Sequence, residues 1–228
     1  MNISIDIIIS FLISFLSGAI PTGVIISKSV FGFDIRTKGS GNMGSTNVFR
    51  ILGRKWGILV QVIDMLKGFI PVYFLSHYFI DPEIITNSFS GNIVNVQLVL
   101  GLATVLGHIF SPFVGFKGGK GINTATGMLV AISPFDISIA FIVFWLIVFS
   151  TGYISLGSIS AGLALPISLL IRHNFFDYNV QNYFTIIYFF FFIACLILFT
   201  HKSNIKRLLK GVENKFDSLH LFKSKAKS

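Results

Sequence analysis

The sequence predicts an all-α integral membrane protein: a polytopic bundle of about seven transmembrane helices, N-terminus outside, C-terminus cytoplasmic. Three observations predict it. Of 228 residues, 53% are hydrophobic and 12% charged, where an ordinary soluble domain carries about 25% charged residues. Mean hydropathy is +0.79, and bilayer-length apolar runs recur from end to end, leaving no room for a large soluble domain. The lysines and arginines gather in short clusters between and after those runs. The net charge of +9 therefore reads as an orientation signal and not as a nucleic-acid surface. A single transmembrane domain is expected over residues 1–220, followed by a disordered Lys/Ser-rich basic tail over 221–228.

A transmembrane helix needs about 20 apolar residues, within a range of about 17–25. The first run is Ile3–Ser27, with Asp6 near its start and no Lys or Arg before Lys28. A cleavable signal wants a positive leading segment, so this run reads as a retained span. The second is Trp56–Ile80 and the third Val94–Phe113. Ile122–Ile132 is short and reads as a tilted helix or a re-entrant segment. The apolar pattern pauses at Ser133-Pro134, then continues through Phe135–Phe149, Ile154–Ile171 and Tyr183–Thr200. The one cysteine, Cys195, lies in an apolar run and reads as a core-filling thiol.

Counting the short piece gives seven crossings. An outside N-terminus then puts Lys28–Lys55, Gly115–Gly121, the turn near Thr151 and the tail from His201 on the inside. Those segments hold Lys28, Arg36, Lys38, Arg50, Arg54, Lys55, Lys117, Lys120 and every Lys and Arg from Lys202 onward. Arg172 alone is outside, and Lys67 lies within a span. Positive residues mark the cytoplasmic side, so this division supports the orientation. Five crossings with re-entrant middle pieces would keep the same inner face.

All the unusual sequence falls on that face. "KGSGNMGSTNVFR", Lys38 to Arg50, sets Gly39, Gly41 and Gly44 among Ser40, Asn42, Ser45, Thr46 and Asn47. Glycines let backbone N–H groups turn toward one point and nest an anion, and Arg50 can grip a phosphate with two parallel bonds. A polar loop capping the next helix would account for the same stretch. "GHIFSPFVGFKGGKG", Gly107 to Gly121, carries His108 and then Lys117, Gly118, Gly119 and Lys120. An ordinary positive-inside loop explains the lysines but not four glycines in seven residues. It is not a nucleotide P-loop, because Val114 and Gly121 stand where that motif needs Gly and Ser/Thr. "HKSNIKRLLKGVE", His201 to Glu213, puts His201, Asn204 and Leu208 on one face if helical. Lys202, Lys206 and Lys210 recur at the same spacing and suit anionic headgroups. Asp64 and Lys67, in "DMLKG", can pair on one face inside the second span and read as a structural pair.

No CxxC, HExxH or carboxylate cluster asks for a metal, so none is expected, nor is a cofactor. No GxSxG elbow appears. The His-x4-Asp pair of glycerolipid acyltransferases is missing too: His77 and His173 each precede an Asp by four positions, one too few.

Together, "SGNMGSTNVFR", "GHIFSPFVGFKGGKG" and "HKSNIKRLLKGVE" resemble the three signature motifs of the bacterial acyl-phosphate:glycerol-3-phosphate acyltransferases, in the family's order and spread over most of the chain. The resemblance implies a seven-helix enzyme of the bacterial cytoplasmic (inner) membrane, with its active site facing the cytoplasm. It implies transfer of a fatty acyl group from acyl phosphate to the 1-hydroxyl of sn-glycerol 3-phosphate, giving lysophosphatidate and phosphate, the first step of phospholipid synthesis. Ser40 and Arg50 resemble the essential pair of the first motif, and His201 and Asn204 the polar pair of the third; these four are the expected catalytic residues. Asn42, Gly44, Thr46, Asn47, His108, Lys117, Gly118, Gly119 and Lys120 are the expected substrate-binding residues. The expected partners are acyl phosphate, glycerol 3-phosphate and membrane lipids, with functional coupling to the enzyme that makes acyl phosphate. A longer outer loop near Asp81–Asn95 and the Lys-rich tail depart from the family without touching a motif.

The residues leave one alternative of another class, a transporter of an anionic metabolite. Against it, only Asp64 and Lys67 sit deep in a span, and no paired broken helices mark a midplane site. A non-catalytic scaffold would leave the glycine loops unexplained.

Overall fold

The computed structural model describes residues 5–79, 93–176, 180 and 182–216. Every regular element among them is helical. In chain order these are α1 (Ile5–Ala19), α2 (Thr22–Phe31), α3 (Ser45–Leu52), α4 (Arg54–Ile70), α5 (Ile93–Ile109), α6 (Ile122–Ile132), α7 (Pro134–Thr151), α8 (Ile154–Phe175), α9 (Tyr183–Thr200) and α10 (Lys202–Leu209). A π-helical stretch, Pro71–Phe79, prolongs α4. Five segments are long and apolar enough to cross a membrane: Arg54–His77, Ile93–Val114, Pro134–Thr151, Ile154–Phe175 and Tyr183–Thr200. α1 and α2 make a sixth if the pair, bent by 42°, counts as one span. α6 has 11 residues, shorter than a comfortable span. The predicted outer loop as far as Asn92, and the basic tail over 221–228, lie outside the described residues.

Proline explains where the structure departs from the apolar runs. The first run breaks at Ile20-Pro21, because Pro21 has no N–H to continue the ladder and its ring crowds the preceding turn. The break exposes backbone carbonyls, and the buried Lys67 ammonium donates to the Ile20 oxygen at 2.7 Å. Pro71 likewise ends regular α-helix in α4, and the ladder resumes with the wider π spacing. Cys195 is exposed on α9, not packed in a core.

The chain forms two compact units, one ending at Ser133 and one beginning at Pro134. In the first, glycines let helix backbones touch, as small residues do in membrane bundles. A Cβ on Gly18 or Gly107 would strike the backbone of α5 or α1, and one on Gly68 or Gly127 that of α6 or α4. Asp64 and Lys67 pair at 2.8 Å, both side chains buried. At the loop end of this unit, Val24, Ile35, Met43, Val48, Val60 and Val114 form a buried cluster. It brings the flanks of the first and second motifs onto one apolar floor.

In the second unit, Asp136 at the start of α7 accepts from Ser168 at 2.7 Å and from Arg172 at 2.8 Å. This joins the start of α7 to the end of α8. At the other end, the segment after α10 returns to the α7–α8 turn. The Phe216 N–H donates to the Gly152 carbonyl at 2.8 Å, and Lys215 lies over the Tyr153 ring. The predicted inner segments near Thr151 and after His201 therefore share one end of the unit.

Candidate active site

The first-motif loop is folded around Asn47. This side chain, 1% exposed, sits in the first turn of α3. Its oxygen accepts from the Ser40 N–H at 2.9 Å. Its two amide hydrogens are shared among the carbonyls of Ile35, Lys38 and Asn42, at 3.2, 3.0 and 2.8 Å. The loop can wrap so tightly because Gly39 and Gly41 take φ of +60° and +72°, a region that costs glycine nothing. Asn42 accepts from the Gly44 N–H at 2.8 Å, shaping the entry to α3. Met43 and Val48 anchor the loop in the apolar cluster. Ser40 is left exposed on the loop, Asn42 and Thr46 are half-buried, and Arg50 is half-buried in the last turn of α3.

The glycine–lysine loop folds back onto the end of α5. The Gly118 N–H donates to the Ile109 carbonyl and the Gly119 N–H to the His108 carbonyl, both at 3.0 Å. These bonds satisfy carbonyls that a helix C-terminus otherwise leaves open. The paired glycines are needed for closeness: a Cβ on Gly118 would collide with the His108 carbonyl oxygen, and one on Gly119 with the His108 ring Nε2. His108 is buried beneath them, and its Nδ1 meets no protein partner. Lys117 is exposed on the loop and Lys120 half-buried.

Hydrogen bonds join the segments that carry these loops. Arg36 Nη1 donates to the Val114 carbonyl at 3.1 Å, and the Asn123 amide donates to Ser45 Oγ at 2.8 Å. Asp34 orients Arg36 through two parallel bonds, at 3.0 and 2.7 Å. Hydrogen bonding from Arg36 holds the Asp34 carboxyl well below the usual carboxylate range and raises the Arg36 guanidinium in turn.

The third motif belongs to the second unit. His201 is buried where α9 passes into α10. Its Nδ1 lies 2.9 Å from the Ile197 carbonyl oxygen, which requires Nδ1–H and puts the lone pair of the neutral ring on Nε2. α10 ends in a Schellman turn: Val212 N–H bonds to Arg207 O and Gly211 N–H to Leu208 O, both at 3.0 Å, with Gly211 at φ +68°. The turn carries Glu213 back against its own helix. One carboxylate oxygen accepts from Asn204 at 2.7 Å and Ser155 at 3.1 Å. The other accepts from Arg207 at 2.6 Å. Burial alone would raise the Glu213 pKa, but the bonds from Arg207, Asn204 and Ser155 outweigh it and the net shift is downward.

Thus the first two motifs meet in the first unit, and His201 and Asn204 are fixed together in the second. Sequence reasoning missed Asp34, Arg36, Asn123 and Glu213. Glu213 carried a signal: a carboxylate just past the helix-ending Gly211, within reach of Arg207. Asp34 and Arg36, an opposite-charge pair two residues apart, carried a weaker one. Asn123 carried none.

The family model for glycerol-3-phosphate acyltransferases matches residues 8–211, a range that contains the first two motifs and the third as far as Gly211. The chain belongs to the glycerol-3-phosphate acyltransferase family. Relatives bearing that name are 40% identical in Chlorobium phaeobacteroides, covering 89% of this chain and 93% of that protein, and 40% identical in Fusobacterium nucleatum, covering 90% and 95%. Among solved structures, the chain is similar to PlsY (YgiH), an integral membrane glycerol 3-phosphate acyltransferase, in its glycerol 3-phosphate form. The TM-score is 0.76 at 36% identity, covering 92% of this chain and 95% of that one. The lysophosphatidic acid form of the same protein gives 0.76 at 34% identity, covering 96% and 99%. As a member of this family, the chain is a multi-pass membrane acyltransferase.

Proposed function

We propose that this enzyme moves a fatty acyl group from acyl phosphate to the 1-hydroxyl of sn-glycerol 3-phosphate. The hydroxyl oxygen attacks the acyl carbonyl carbon, an ester C–O bond forms, and the C–O bond to phosphate breaks. Phosphate leaves with the electron pair, and the other product is lysophosphatidate. The observation that carries this reading is the joining of two glycine-rich loop segments through Arg36–Val114 and Asn123–Ser45, and the sequence of those segments supplies Arg50, Lys117 and Lys120. Both substrates bear a phosphate, so the reaction needs two anion sites held at fixed separation.

Acyl phosphate is a mixed anhydride with a good leaving group, so alignment and charge neutralisation can supply most of the catalysis. Alignment is worth up to about 7–11 kcal/mol of barrier, and a single well-placed donor to a developing oxyanion about 3–4 kcal/mol. Ser40 and Arg50 act on the reacting groups, and the side chains of Lys117 and Lys120 neutralise the phosphates. Asn47 works from beneath, because its amide is spent on the loop backbone. Gly118, Gly119 and His108 act together as the wall of the second cradle. An oxygen of the departing phosphate can take the hydroxyl proton.

The proposed setting is the bacterial cytoplasmic membrane, crossed seven times, with the N-terminus outside and the motifs facing the cytoplasm. There the enzyme would couple to the one that makes its acyl phosphate. The transporter alternative loses the feature that favoured it in the sequence, because Lys67 is engaged by Asp64 and the Ile20 carbonyl. The test is conversion of labelled glycerol 3-phosphate and palmitoyl phosphate to lysophosphatidate by detergent-purified protein, with no membrane barrier. Product supports the enzyme; its absence in folded protein overturns this reading.

A further inference from the structure

We propose that Arg36 and Asn123 are positioning residues that fix the distance between the two phosphate cradles. The proposal rests on reading the two glycine-rich loops as those cradles. Arg36 Nε and Nη2 grip the two oxygens of Asp34, at 3.0 and 2.7 Å. Asp34 also accepts from the Arg36 N–H at 3.0 Å, capping the turn over Ile35–Thr37. The guanidinium is therefore locked in orientation before it reaches across the site. Its remaining arm, Nη1, donates to the Val114 carbonyl, and Val114 is the residue just ahead of Gly115.

The neighbouring residue, Ile35, gives its carbonyl to the Asn47 amide, the hub of the first-motif loop. Ile35 and Val114 also share the buried apolar cluster. One side chain thus links the root of the first loop to the root of the second. Asn123 does the same on the far side. It lies two residues past Gly121, where the second loop ends, and bonds Ser45 at the start of α3. The second loop is therefore tied to the first-motif segment both before it begins and after it finishes. Two parallel ties of this kind hold a spacing that neither substrate's own contacts would set.

Arg36→Lys tests one tie. Lysine keeps a positive charge beside Asp34, but a single ammonium cannot grip both carboxylate oxygens and reach Val114 as the planar fork does. Asn123→Ala tests the other and leaves Arg36 untouched. Steady-state constants for glycerol 3-phosphate, melting temperature, and calorimetric binding of glycerol 3-phosphate would be measured on both variants and the double variant. Each single change should raise KM and Kd about threefold, and the double change should raise them well beyond the product, since independent sites simply multiply. kcat should stay within about threefold of the parent.

Unchanged KM and Kd in a folded double variant, or effects that only multiply, would overturn the proposal. So would a lower melting temperature with unaltered constants, the mark of a merely structural role. If the parent protein binds glycerol 3-phosphate but transfers no acyl group, the acyltransfer reading fails. The Kd series then still decides whether the two ties set the spacing.

Discussion

Asn204 donates its amide to Glu213 at 2.7 Å, and through that bond the third motif is braced by a carboxylate beyond its own helix. The same carboxylate receives Arg207 and Ser155. Removing one partner of a buried charged pair costs about 3–5 kcal/mol, because the other charge is left unpaired. Arg207 is about one-third exposed, so the low end of that range applies to Glu213→Ala. The variant should melt at clearly lower temperature and lose turnover with it, and Glu213→Gln should fall between. The pH dependence has a definite sign. Glu213 titrates lower in the folded enzyme than its ordinary 4.5, so its stabilisation is complete above that value. It is lost as pH falls through the lower folded value. Melting temperature against pH should show less loss below pH ~4.5 in Glu213→Gln than in the parent. Identical curves would refute the brace.

Ser40→Ala and Arg50→Ala should each abolish turnover while leaving a folded membrane protein. Ser40 is exposed on a loop whose shape is set through its N–H, so the hydroxyl can go without unfolding anything. Activity assays beside melting curves check this. Near-normal turnover in either purified variant removes that residue from the chemistry.

Gly119→Ala should raise KM for glycerol 3-phosphate at least tenfold, in the range that about 1 Å of misplacement produces. The added methyl meets the His108 ring, a side chain buried too well to swing away. Gly118→Ala meets backbone oxygen instead and should be at least as damaging. A fall in kcat with unchanged KM would show that the loop acts only in the transition state.

Asp64→Asn or Lys67→Met alone should destabilise the first unit by about 3–5 kcal/mol, each leaving a buried charge without its partner. Replacing both by apolar residues, Asp64→Leu with Lys67→Met, should recover much of that loss. Full recovery is not expected, because Lys67 also serves the Ile20 carbonyl at the proline break. A double variant no better than the singles would mean that the pair does more than satisfy itself.

The spans were largely legible in the sequence because hydropathy in a bilayer is a one-dimensional property. Ile122–Ile132 and Tyr183–Thr200 begin and end where the apolar pattern does. The break at Pro21 was less visible, since flanking residues are apolar on both sides and only the missing N–H marks it. In the site, residue type pointed to the loops, and three-dimensional reach decided their parts. Asn47 reads as a ligand from its place in the motif, yet its amide is committed to carbonyls up to 12 residues away. Gly118 and Gly119 read as flexible backbone, yet what they meet is His108, packed against them by the loop's return to α5. Arg36 and Asn123 could not be read, because each finds a partner 78 positions along the chain.

The most direct test of the central claim is donor choice. Purified enzyme would receive labelled glycerol 3-phosphate with palmitoyl phosphate, palmitoyl-CoA or palmitoyl-ACP in separate reactions. A site built from two anion cradles, with no His–Asp base, predicts lysophosphatidate from palmitoyl phosphate alone. Equal or faster product from the thioesters would contradict the acyl-phosphate mechanism while leaving the enzyme an acyltransferase.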